Sequence, residues 1–149
     1  MDKNLVPTTL LAKADKILII GHFALGDFTY MQNYFRALAE QFPHLKIHVW
    51  VDEVRRSWRF WQWQSLKKYV LYDWLAACPF IDKVYNQTYS PPALRHSIKQ
   101  ARAEHYPVVV SLAYIRPHQY ARLARRISPN GFVAALQPTL GWRKKKKKW

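Results

Sequence analysis

The chain has 149 residues, of which 50% are hydrophobic and 15% aromatic, and its formal net charge is +15. That length suits one domain with a sizeable core, and that composition excludes global disorder. A single cysteine, Cys78, excludes an internal disulfide and a paired-cysteine zinc site. In chain order, Lys16-Ile-Leu-Ile-Ile20 is an apolar, β-branched run ending at Gly21, the pattern of a buried strand. Phe28, Met31, Phe35, Leu38, Ala39 and Phe42 then recur at helical spacing until Pro43 stops them. His44 to Val51 alternates into a second strand that ends at Asp52. Strand, helix and strand in this order form a βαβ unit with parallel strands and a right-handed crossover.

Val54 to Ala77 reads as helical or broken helix and carries Trp58, Trp61, Trp63 and Trp74. Ile81 to Tyr85 is a brief third strand, and Pro91-Pro92 opens a helix running to about His105. Pro107 to Leu112 is the fourth strand, His118 to Ile127 a helix, and Gly131 to Leu136 a fifth strand. This alternation predicts an α/β fold: a Rossmann-like, open, mostly parallel sheet with flanking helices. The expected division is an N-terminal extension over 1–15, the α/β domain over 16–137 and a basic low-complexity tail over 138–149.

Arg143 and Lys144 to Lys148 supply six of the positive charges, leaving an excess of +9 on the rest of the chain. The terminal run reads as a solvated tail, suited to non-specific contact with nucleic acid. Two further clusters, one around Arg55, Arg56, Arg59, Lys67 and Lys68 and one of Arg116, Arg122, Arg125 and Arg126, suit an acidic ligand. Val54 to Trp63 interleaves arginines with indoles. The first expectation is that one helix face packs these rings into the core; contact with an anionic membrane comes second. No apolar run reaches the roughly 20 residues of a membrane span, and the N-terminus lacks a signal-peptide pattern. A cytoplasmic protein, at most peripheral to a membrane, is expected.

In open parallel sheets ligands gather beyond the carboxyl ends of the strands, so the turn Gly21-His-Phe-Ala-Leu-Gly-Asp27 is the candidate site. Its two glycines would let the backbone bend and a ligand come close. Gly21 and Gly26 have the spacing of a P-loop, but Asp27 and Phe28 stand where that motif needs Lys and Ser or Thr. A carboxylate there would repel phosphates, which rejects the P-loop; the dinucleotide fingerprint G-x-G-x-x-G is absent as well. Asp27 is left with two compatible roles, capping the helix and acting as a general base. His22, in the same turn, could bind an acceptor phosphate or project into solvent. His44 and His48 lie too far apart along a strand to share a metal.

The run from Lys16 to Asp27, continued by Asn33-Tyr-Phe-Arg-Ala-Leu38 and Phe42-Pro43, resembles the start of the family 9 glycosyltransferases, which include the lipopolysaccharide heptosyltransferases. Ile81 to Tyr85 and His105 to Leu112 resemble that family's third- and fourth-strand segments. The resemblance implies the N-terminal half of a GT-B architecture and inverting sugar transfer from a nucleotide-sugar donor to a lipid-linked saccharide acceptor. It also implies Asp27 as the residue that deprotonates the acceptor hydroxyl. Gly21, His22, Gly26 and Arg116 would bind substrate, and no cofactor or metal is implied. Ser111 stands where the family often has an acidic residue. The second GT-B domain, which holds the donor, has no counterpart here, so the expectation is a truncated transferase, inactive alone. The alternative is a basic α/β module that binds nucleic acid or an anionic membrane.

Overall fold

A computed structural model describes residues 5–52 and 56–136; the expected basic tail falls outside them. Five strands, β1 (Lys16–Gly21), β2 (Lys46–Val51), β3 (Lys83–Tyr85), β4 (Val108–Ser111) and β5 (Phe132–Ala135), form one sheet. Their order is β3-β2-β1-β4-β5 and every pairing is parallel. The expected open, parallel α/β sheet is therefore the observed one. Strands buried on both faces need continuous apolar runs, and β1 and β2 each bury five consecutive residues.

Six helices flank the sheet among the described residues: α1 (Thr8–Lys13), α2 (Leu25–Gln41), α3 (Trp63–Leu66), α4 (Val70–Ala77), α5 (Pro91–Ala103) and α6 (Pro117–Ile127). One face of the sheet offers Ile17, Ile19, Ile47, Val49, Val51 and Val110 to a core shared with Leu11 of α1, Phe28 and Phe35 of α2, and Leu71 and Leu75 of α4. The other offers Leu18, Ile20, Trp50 and Val109 to Ile98 and Ala101 of α5 and to Ala124 and Ile127 of α6. Val6 and Leu11 join the first core, so the segment before β1 carries a packed helix.

Local chemistry fixes the starts of α5 and α6. Ser90 accepts a hydrogen bond from the Ala93 N–H at 3.2 Å, and Pro91 takes the first helical position of α5, where a missing N–H costs nothing. Pro117 does the same for α6. The segment expected as one broken helix is three short pieces, a 3-10 turn at Phe60–Gln62 followed by α3 and α4. Trp58, Phe60 and Trp61 are exposed, which overturns the expectation that these rings pack into the core. Cys78 is a buried free thiol, its pKa raised by burial.

A polar cluster crosses the amino ends of the central strands. Glu104 receives Lys83 at 2.7 Å and Lys16 at 3.1 Å, and these two bonds hold its pKa down at about 2. Beside it, the Tyr106 hydroxyl hydrogen-bonds His48 Nδ1 and meets the Tyr85 hydroxyl at 2.9 Å. Burial lowers the pKa of His48 and raises that of Tyr106.

Candidate active site

β1 is the strand at which connections change direction: β2 lies on one side of it and β4 on the other. The helix that follows β1 packs on one face of the sheet and the helix that follows β4 on the opposite face, which opens a crevice beyond the two carboxyl ends. A cleft of about 260 Å³ sits there, lined by His22, Phe23, Asp27, Tyr30, Met31, Leu112 and Tyr114.

Asp27 stands on the first turn of α2, exposed, with its carboxylate on the cleft wall. The helix N-cap is Ala24, in extended conformation, so Asp27 is the third helical residue and not the N-cap residue that its composition suggested. The Ala24 N–H donates to Asp27 Oδ2 at 3.3 Å. That bond is half of a capping box; alanine has no side-chain oxygen to return the other half. Oδ1 makes no hydrogen bond among the described residues. The carboxylate is thus oriented by one oxygen and open at the other, at the positive end of a helix of 17 residues.

The two glycines act differently from the expected bend, since neither has a positive φ. A Cβ on Gly21 would lie 2.4 Å from the Phe23 ring, so Gly21 makes room for that ring to turn inward onto Phe35. A Cβ on Gly26 would meet nothing within 4 Å. Gly26 does not line the cleft; it leaves a bare strip of helix beside Asp27.

His22 is half-buried on the cleft wall. Its Nδ1 lies 3.1 Å from the Asp52 carbonyl oxygen and its Nε2 3.2 Å from that of Ile115. The ring also makes an edge contact with Tyr120 at 4.6 Å. A neutral imidazole has one N–H and so donates to one of these two carbonyls at a time; either bond, with the Tyr120 contact, sets the turn after β1 against the loops after β2 and β4.

Asp52, at the carboxyl end of β2, escaped the sequence reading. Its side chain is 7% exposed and pairs with Arg56 Nη2 at 2.9 Å. The Tyr120 hydroxyl donates to the same carboxylate at 2.7 Å, and burial with the nearby Asp52 charge raises the Tyr120 pKa, keeping that proton in place. The pair forms one end of a groove of about 270 Å³ between α5 and α6, which also includes Arg122 and Arg126. Those two arginines have no acidic partner among the described residues. Asp52 could have been found by its place, the residue after a parallel strand, as could Tyr114 beyond β4.

Arg116 does not line the Asp27 cleft. It is exposed, and its backbone is left-handed, with φ 52° just before Pro117. Such a conformation costs a non-glycine residue on the order of 1 kcal/mol and is held here by the packed helix that follows. Ser111 ends β4 with a buried hydroxyl that has no hydrogen-bond partner among the described residues. No group of three or more His, Cys, Asp or Glu among the described residues could hold a metal ion. No helix among them is long and apolar enough to cross a membrane.

No family model matches the chain, and no curated protein matches it. Among solved structures, the chain is similar to a family 9 glycosyl transferase from Veillonella parvula, with a TM-score of 0.50 and 19% identity. The match covers 80% of this chain and 32% of that one, so the chain spans about a third of the length of its structural neighbour. The likeness is one of fold, an open, parallel, Rossmann-like α/β sheet with flanking helices.

Proposed function

We propose that this chain is the acceptor-side domain of an inverting glycosyltransferase, with Asp27 as its general base. The observation that carries the reading is the half-satisfied Asp27 carboxylate, fixed through Oδ2 and open at Oδ1, on the wall of the crevice beside β1 and β4. In this reading an acceptor hydroxyl donates its proton to Oδ1 as its oxygen attacks the anomeric carbon of a sugar nucleotide. The anomeric C–O bond breaks with its electron pair leaving on the nucleoside diphosphate, and the configuration at that carbon inverts.

Tyr30 and Tyr114, on opposite sides of the cleft, offer ring faces and hydroxyls to a saccharide. His22 keeps the three loops in register, which makes it a positioning residue. An acidic group on the acceptor, such as a phosphate or carboxylate, has Arg116 at the start of α6 and Arg122 and Arg126 along the groove between α5 and α6. A lipid-linked core saccharide of the lipopolysaccharide type combines these features. The donor would be held by a second α/β domain.

The test joins the chain to the donor-binding half of a family 9 enzyme and measures transfer of labelled sugar from its nucleotide. Asp27→Asn should lower kcat by about 10² to 10⁴ with little change in acceptor KM, the range for loss of a general base. Unchanged turnover in that variant would refute the assignment.

A further inference from the structure

The segment from Arg56 to Val70 presents a group of apolar side chains that the sugar-transfer reading does not use. Trp58 is 73% exposed, Phe60 69%, Trp61 64% and Val70 69%. Exposed rings of this size in sequence are informative, since single exposed apolar residues are common but clusters of them mark contact surfaces.

The loop that carries them is pinned from beneath by its polar atoms. The Ser57 N–H donates to the Tyr89 carbonyl at 2.8 Å, and Arg56 Nε donates to the Thr88 carbonyl at 3.0 Å. Trp63 Nε1 donates to the Ser57 carbonyl at 2.9 Å, and the Ser57 hydroxyl to Gln62 Oε1 at 2.6 Å. The hydrogen-bonding groups face the protein, and the rings face away from it.

Charge selects the partner. Between residues 56 and 72 there is no Asp or Glu. Arg56 is neutralised by Asp52, while Arg59, Lys67 and Lys68 have no acidic partner among the described residues. Arg59 lies 5.9 Å over the exposed Trp61 ring, and Lys67, itself exposed, lies 5.2 Å over the half-buried Tyr89 ring against which the loop packs through Trp63. Indole and phenyl rings at the tips with lysine and arginine around them match the interface of an anionic bilayer, with rings at the headgroup boundary and cations on the lipid phosphates. A saccharide platform fits less well. Recognition of sugar hydroxyls needs polar groups converging beside the ring, and the nearest candidates, Ser57 and Gln62, are already bonded to each other.

We infer that the loop of Trp58, Phe60 and Trp61, with Arg59, Lys67 and Lys68, is a docking surface for an anionic membrane. The inference goes beyond the transferase reading and is tested without any transfer assay, so either can fail alone. The loop leaves β2 at the carboxyl end of the sheet, the end at which the Asp27 cleft opens. Docking there would bring that end of the molecule to the lipid surface.

The experiment is vesicle co-sedimentation of the full chain, with Arg143 and Lys144 to Lys148 changed to Gln so that the tail contributes no attraction. Vesicles of phosphatidylcholine are compared with vesicles in which one third of the lipid is phosphatidylglycerol. Expected is binding to the anionic vesicles that falls by about tenfold or more in the triple variant Trp58→Ser, Phe60→Ser, Trp61→Ser, the effect of withdrawing about one buried ring. Arg59→Gln with Lys67→Gln and Lys68→Gln should remove the preference for phosphatidylglycerol. Because all six side chains are exposed, unchanged circular dichroism is expected and checks the fold. Three outcomes overturn the inference: loss of all binding when the tail alone is neutralised, equal binding by the triple variant, or equal affinity for a soluble oligosaccharide that protects the same indoles from iodide quenching.

Discussion

At the scale of single residues, the two glycines of the first turn separate cleanly. Gly21→Ala drives a methyl group into the Phe23 ring, 2.4 Å away, and should cost about 1–3 kcal/mol of stability in chemical denaturation, the usual range for overpacking. Gly26→Ala meets open space on a helix and should stabilise by up to about 1 kcal/mol. If that variant keeps its stability but loses acceptor affinity, the bare strip beside Asp27 is where the acceptor lies. A third position, His105, ends α5 with φ 53°, a left-handed conformation that suits glycine. His105→Gly should raise the unfolding free energy by about 0.5 kcal/mol, the relief of strain being partly offset by the greater freedom of glycine when unfolded. The sequence made Asp27 and His22 visible through their place between a strand and a helix. It could not show that Asp27 is the third helical residue, because a one-turn shift of a helix start leaves the apolar spacing of Phe28, Met31 and Phe35 unchanged. Nor could it show that the His22 ring sits between carbonyls 30 and 93 residues away.

Among elements, the cluster joining β1, β3 and the end of α5 sets the response to acid. Glu104, whose folded pKa of about 2 is below the usual carboxylate value near 4.5, contributes stability that is complete above that value and is lost as pH falls towards 2. His48 acts with the same sign. Its folded pKa lies below 6.5, so it too favours the folded state above that pH and opposes it as protons become available. Thermal unfolding should therefore show a stability that declines from about pH 6.5 downward and steepens below about pH 4.5. Glu104→Gln should lower stability near neutrality by about 1 kcal/mol, a figure reduced for the partial exposure of the ion pairs, and flatten the lower part of that decline. Elements with a continuous apolar run, such as β1 and β4, were legible because burial on both faces leaves no other composition. The stretch from residue 56 to 77 was not. Its aromatic residues satisfy no single period, and the stretch is anchored ahead of the 3-10 turn by a hydrogen bond from Ser57 to Tyr89, remote in sequence.

Over the whole molecule, charge and cleft belong to different parts of the chain. The +15 total includes six charges in the run from Arg143 to Lys148, and an electrostatic, sequence-independent association with DNA should follow from that run. Deleting residues 143–149 should abolish most of this binding and reduce the slope of log affinity against log salt by about five, measured by fluorescence anisotropy. Persistence of tight binding after the deletion would favour the nucleic-acid module over the transferase. That the sheet is open and parallel was accessible from the alternation of strands and helices; its order β3-β2-β1-β4-β5 was not, since several orders satisfy the same alternation and handedness. The pairing of the loops after β1, β2 and β4 into one site was not, since it depends on contacts between residues remote in sequence.

The strand order β3-β2-β1-β4-β5 also has a consequence for synthesis. β1 is central, but its second neighbour, β4, is made about sixty residues after β2, which at 5–20 residues per second is a delay of about 3–12 s. Through that interval the nascent chain can pair β1 with β2, and β2 with β3, while the other edge of β1, Ile17 to Ile20, stays open to any passing strand. On the ribosome, then, the strand that carries the Asp27 turn is an unprotected edge, and it becomes the centre of the sheet only when Val108 to Ser111 arrive.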